Sequence, residues 1–118
     1  MPIALKRAYD PAAPGDGRRI LVDRVWPRGV TKDDLRIDVW RKDLAPSTGL
    51  RKWFGHDPKK WDDFKERYRR ELEQQADALE ELLAHARAGQ ITLVFGARDT
   101  EHNNAVALKE HLERRLKR

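Results

Sequence analysis

A chain of 118 residues is long enough for one domain with a hydrophobic core and too short for two. Hydrophobic side chains at 39% and charged ones at 38% describe a small core under a densely charged surface and argue against disorder. Cysteine is absent, which excludes disulfides, thiolate metal sites and thiol nucleophiles, and the net charge of +5 favours anionic partners.

That charge is unevenly spread: residues 1–56 carry a net +5, residues 57–108 a net −3, and the last ten residues a net +3. No apolar run reaches the roughly 18 residues of a membrane helix. The first seven residues lack the apolar stretch and cleavage site of a signal peptide, so a cytoplasmic protein with no membrane partner is expected.

Ile3 and Leu5 alternate with polar neighbours and predict a short first strand ending near Arg7. Residues 11–17, rich in proline and glycine, read as a loop. Residues 19–25 predict a second strand whose Ile20-Leu21-Val22 run fits burial on both faces, stopped by Pro27 and Gly29. Thr31 to Asp34 reads as a capping box opening a short helix. Residues 36–46 fit either an extended or a helical reading. Ser47 is the expected N-cap of a short helix burying Leu50, Trp53 and Phe54 and ending at Gly55. Asp57-Pro58 restarts a helix, a cap followed by proline at its first position.

From there Trp61, Phe64, Tyr68, Leu72, Ala76, Leu79, Leu83 and Ala86 recur at steps of three and four, the mark of one helical face. Asp63 to Arg67 and Glu66 to Arg70 are spaced as ion pairs on its outer side. An unbroken helix of that length would span about 45 Å, more than so small a domain is wide, so a break is expected near Gln74–Asp77, with Gly89 ending the second piece. Residues 91–95 form the strongest strand pattern, and a last helix carries Ala105, Leu108, Leu112 and Leu116 on one face. The order strand–helices–strand–helix predicts an α/β fold: one small domain over residues 1–118, with a short, mostly parallel sheet and helices packed around it. Residues 19–25 and 91–95 are its expected parallel pair.

Two clusters follow those paired strands. The first, residues 23–29, offers Asp23, Arg24, Trp26 and Arg28 where a strand gives out into a loop, the usual place for a ligand in an open α/β sheet. Its arginines suit a phosphate or carboxylate and its tryptophan a flat ring. The plainer reading makes Trp26 core, pairs Arg24 with Asp23 or another acid, and leaves Arg28 at the surface. The second, residues 96–104, offers Arg98, His102, Asn103 and Asn104 at a helix start, where amides and dipole favour an anion. Its plainer reading is capping, by Asp99 or Thr100, with the asparagines satisfying first-turn groups. If the strands are neighbours, Arg24, Arg28, Arg98 and His102 face one crevice.

Lys42 and Asp43 precede Ser47, which is better read as a cap than as a lysine-activated nucleophile. The histidines show no metal spacing, so no metal is expected. No phosphate-binding loop, dinucleotide fingerprint or serine elbow is present, so no cofactor is expected either.

Residues 23–29, Lys42 to Ser47, Trp53 to Asp57, Ala97-Arg98-Asp99 and Glu101 to Ala105 together resemble the signature segments of the YeaO-like family, a domain of unknown function numbered 488. The resemblance covers nearly the whole chain. It implies a compact cytosolic α/β domain and no particular activity. More distant members carry Cys-His-Arg where this chain has His102-Asn103-Asn104, so a cysteine-dependent mechanism does not carry over.

The leading expectation is therefore a domain binding a small anionic ligand, with a phosphate-bearing molecule among the candidates. Arg24, Arg28, Lys42, Arg98, Asn103 and Asn104 would hold it, Trp26 would wall the pocket, and Asp23, Asp43 or His102 would do any acid–base chemistry. The alternative is nucleic-acid binding through the basic surface, which predicts steep salt dependence. An interaction module showing an exposed apolar patch is a third reading. The sequence fixes neither the oligomeric state nor whether the chain is an enzyme.

Overall fold

A computed structural model describes residues 3–117. Four strands form one all-parallel sheet: β1 (Ile3–Arg7), β2 (Arg18–Leu21), β3 (Val39–Trp40) and β4 (Ile91–Phe95), in the order β1-β4-β2-β3. The helices are α1 (Lys32–Leu35), α2 (Thr48–Phe54), α3 (Trp61–Glu73), α4 (Ala76–Ala88) and α5 (Asn104–Leu116). The expected α/β class and the pairing of the second strand with the last are both present: Ile20 faces Leu93 and Leu21 faces Val94.

The pleat sorts the strand residues. Ile3, Ile20, Val22, Ile91, Leu93 and Phe95 join the large core beneath α2 to α5. Leu21, Val94, Ala8 and Leu35 form a smaller cluster on the opposite face, edged by Trp26, Val30, Ile37 and Trp40. Ile20, Leu21 and Val22 are all buried, as a strand covered on both sides requires.

Local chemistry explains most boundaries. Thr31 Oγ1 accepts the Asp34 N–H, and Ser47 Oγ accepts that of Leu50. Gly55 ends α2 in the left-handed region at φ 53°, its N–H bonded to the Arg51 carbonyl. Asp57 accepts the Lys59 N–H over a single 3-10 turn before α3 begins. The long amphipathic stretch breaks at Gln74–Gln75, between Glu73 and Ala76. Glu66 meets Arg70 at 3.4 Å as spaced, whereas Arg67 lies over the Trp53 ring at 4.1 Å instead of pairing with Asp63.

Two boundaries differ from the sequence reading. β2 ends at Leu21 instead of running to residue 25, because its neighbour β3 pairs over only two residues and Asp23 turns its carboxylate to the Gly96 N–H. α5 is capped by Asn103 in place of Asp99 or Thr100. The Asp99 carboxylate is already taken by the amides of Glu101 and His102, and Asn103 Oδ1 accepts the Val106 N–H. Among the described residues no helix is long and apolar enough to cross a membrane.

Candidate functional site

Beyond the carboxyl ends of β2 and β4 lies a crevice of about 260 Å³. The adjacency of the two strands brings both loops to it, and α2 with the turn after it closes the far side. Phe54 and Phe64, stacked with ring centroids 4.4 Å apart and almost fully buried, make its inner wall. Arg24, Val25, Arg51 and His56, all exposed, make its mouth.

Asp23 sits between wall and mouth. One carboxylate oxygen accepts the Gly96 N–H at 2.8 Å and the other accepts Asn104 Nδ2 at 3.0 Å. Asn104 also donates to the Val22 carbonyl at 3.0 Å, and the Asp23 carbonyl accepts Trp40 Nε1 at 2.7 Å. Burial pushes the Asp23 carboxyl above its usual range, against the pull of those hydrogen bonds and of the charges on Arg51 and His56. The carboxylate thus pins the loop after β4 to the loop after β2 while keeping an acidic group at the crevice.

Of the residues singled out from sequence, Asp23, Arg24, Asn103 and Asn104 line this crevice. Arg24 reaches across it, its guanidinium donating to the carbonyls of Pro46 and Ala45 at 3.3 and 3.5 Å. Asn103 is buried and its amide group is used in capping, Nδ2 donating to the Asp99 carbonyl at 2.9 Å. The others lie elsewhere. Trp26 belongs to the small cluster on the opposite face, edge-on to Trp40 at 5.4 Å with Nε1 bonded to the Val30 carbonyl at 2.6 Å. Arg28 is exposed outside the crevice, its carbonyl bonded to the Tyr9 hydroxyl. Lys42 sits 4.0 Å over the Trp40 ring, and Asp43 pairs with Arg41 at 3.2 Å. Arg98 is exposed in the loop before α5, away from the crevice lining. His102 turns Nδ1 to Asp99 at 2.9 Å and stands edge-on to Trp61.

The sequence reading missed Arg51, His56, Phe54 and Phe64 as partners of Asp23. The Trp53–Asp57 segment was the available signal, since it holds two of them. His56 follows Gly55 with φ of 57°, a left-handed conformation costly for a residue with a Cβ. That conformation sets the imidazole at the mouth. His56→Gly is expected to raise stability by about 0.5 kcal/mol, the relief of strain exceeding the added unfolded-chain entropy. Urea unfolding at constant slope checks this, and a loss above about 1 kcal/mol contradicts it.

A family model described as "Inactive DUF488-N3 subclade" matches residues 2–118. The chain belongs to the YeaO-like DUF488 family. It is 44% identical to the uncharacterized protein YeaO of Escherichia coli K12 over 112 residues, covering 95% of this chain and 97% of YeaO. It is 41% identical to the uncharacterized protein Rv3073c of Mycobacterium tuberculosis H37Rv over 113 residues, covering 96% and 95%. No solved structure matches the chain. Among the described residues of this DUF488 protein, no three His, Cys, Asp or Glu side chains are grouped to hold a metal.

Proposed function

We propose that this DUF488 protein binds a small anion in the crevice between the ends of β2 and β4, and holds it without transforming it. The observation that carries this reading is the pair of arginines at the mouth. Arg24 and Arg51 share one crevice with His56, and neither forms an ion pair with a carboxylate among the described residues. Two such guanidiniums beside an apolar wall suit a carboxylate or phosphate attached to a small apolar body. Arg19, Arg41, Arg69, Arg70 and Arg115 are each paired with an acid; of the described arginines that are not, Arg24 and Arg51 are the two that line this crevice.

Binding without turnover is favoured because the three acid–base candidates read from the sequence are engaged. Asp23 braces two loops, His102 faces Asp99, and Asp43 faces Arg41. The chain has no thiol, and the matching subclade is described as inactive.

The test is thermal stability with phosphate, benzoate, a nucleoside monophosphate and short DNA, at two salt concentrations. An anion at a hundred times its dissociation constant stabilises by about 2.7 kcal/mol. The expected result is a salt-tolerant upward shift with one small anion, abolished in Arg24→Ala and Arg51→Ala. A shift with DNA alone that vanishes at the higher salt would overturn the proposal in favour of nucleic-acid binding. Absence of any shift would overturn it too.

A further inference from the structure

The chemistry of the crevice is not uniformly cationic. Its two arginines are at the mouth, and a carboxylate, Asp23, stands further in beside the aromatic wall. Each oxygen of that carboxylate has one protein donor, leaving acceptor capacity on both. A simple anion would satisfy the arginines and leave the spare acceptor capacity of Asp23 unmet. A ligand with its own donor close to its anionic group would meet both.

Resting on the anion-binding reading above, we propose that the occupant is an α-amino acid with an apolar side chain. Its carboxylate lies against Arg24 and Arg51, its ammonium donates to Asp23, and its side chain lies on Phe54 and Phe64 beneath Val25. Several features of the crevice support this class. The carboxylate and ammonium of an amino acid are separated by one carbon, matching one crevice that presents cationic and anionic groups together. Phe54 and Phe64, stacked on each other and almost fully buried, give the crevice an apolar floor for such a side chain. Val25, exposed at 57% and one of two large hydrophobics left so open among the described residues, gains an apolar neighbour. Burial already disfavours the charged form of Asp23, so a fixed cation is worth more to it than a neutral hydroxyl. The crevice, at about 260 Å³, has room for one such molecule.

The experiment is isothermal titration of the full chain with L-phenylalanine, N-acetyl-L-phenylalanine, 3-phenylpropionate and inorganic phosphate, repeated with Asp23→Asn. L-Phenylalanine is expected to bind about tenfold or more tightly than its N-acetyl and deaminated relatives, the worth of one charge-assisted hydrogen bond. That preference should collapse in Asp23→Asn. The comparison among ligands on the unaltered chain needs no variant, so it stands even if Asp23→Asn unfolds. Equal affinity for 3-phenylpropionate and L-phenylalanine overturns this inference and leaves the anion-binding reading intact, as does binding of phosphate alone. No binding by any of the four overturns both.

Discussion

Asp16→Ala is expected to lower the stability of the chain by about 3–5 kcal/mol, the cost of leaving a buried guanidinium without its counter-ion. Asp16 and Arg19 are both almost fully buried on the sheet face opposite the helical layer. Asp16 Oδ2 accepts from Arg19 at 2.6 Å and from the Ala13 N–H at 2.9 Å, and Lys6 Nζ lies 2.9 Å from Oδ1. Arg19 is further fixed by two bonds to the Leu35 carbonyl, at 3.1 and 2.8 Å. With Asp16 removed, those two bonds remain and the charge does not leave, so the site cannot relax cheaply. Burial raises the Asp16 carboxyl, but hydrogen bonds from Lys6, Ala13 and Arg19 outweigh it and lower the pKa from 3.8 to about 2. A depressed carboxylate contributes stability that is fully present above pH 3.8 and lost as pH falls through about 2. Urea midpoints measured across that window should therefore converge for the two proteins at the acid end. A loss below about 1 kcal/mol at neutral pH would contradict the account.

Gly17→Ala, one residue further on, is expected to cost about 3 kcal/mol through backbone contact. Gly17 has φ of 63°, and a Cβ there would lie 2.1 Å from the Gln90 carbonyl oxygen. That carbonyl accepts the Arg18 N–H at 3.0 Å, the bond that starts the β2–β4 pairing. The substitution combines a left-handed penalty with an overpacking one, each of roughly 1–2 kcal/mol. Since β2 and β4 carry the crevice at their far ends, loosening their start also loosens the register of the site. At roughly 4 °C per kcal/mol for a domain of this size, the melting temperature should fall by about 12 °C. Gly15→Ala is the internal control: a Cβ there meets nothing within 4 Å and its φ lies outside the left-handed range. A comparable drop in both variants would contradict the argument from Gln90.

The two aspartates show what the sequence could and could not convey. Asp16 and Asp23 each precede or follow a strand by a few residues, and nothing in their neighbours marks one as structural. The fold separates them. Asp16 is surrounded by donors and depressed, whereas Asp23 is desolvated beside an aromatic wall and raised. Helices and strands were legible because they rest on local signals: the Ser47 and Thr31 caps, the Gly55 stop, the Ile20–Val22 run and the break at Gln74. The crevice was legible only in part, through Asp23, Arg24, Asn103 and Asn104, because strand adjacency brings those loops together. Arg51 and His56 depend on how α2 leans over the sheet, a tertiary fact with no periodicity in the chain. Trp26 and Arg28 lie two and four residues beyond Arg24, yet the loop carries Trp26 to the opposite face, against Trp40. Sequence proximity at a strand end does not specify which side of the sheet a residue joins.

Amide chemical-shift mapping during a benzoate titration tests the crevice most directly. Saturable shifts centred on Arg51, His56, Gly96, Ala97 and Asn104, absent in Arg51→Ala, are expected. Shifts scattered over exposed lysines such as Lys52 and Lys59, or no saturable shift at all, would contradict binding there.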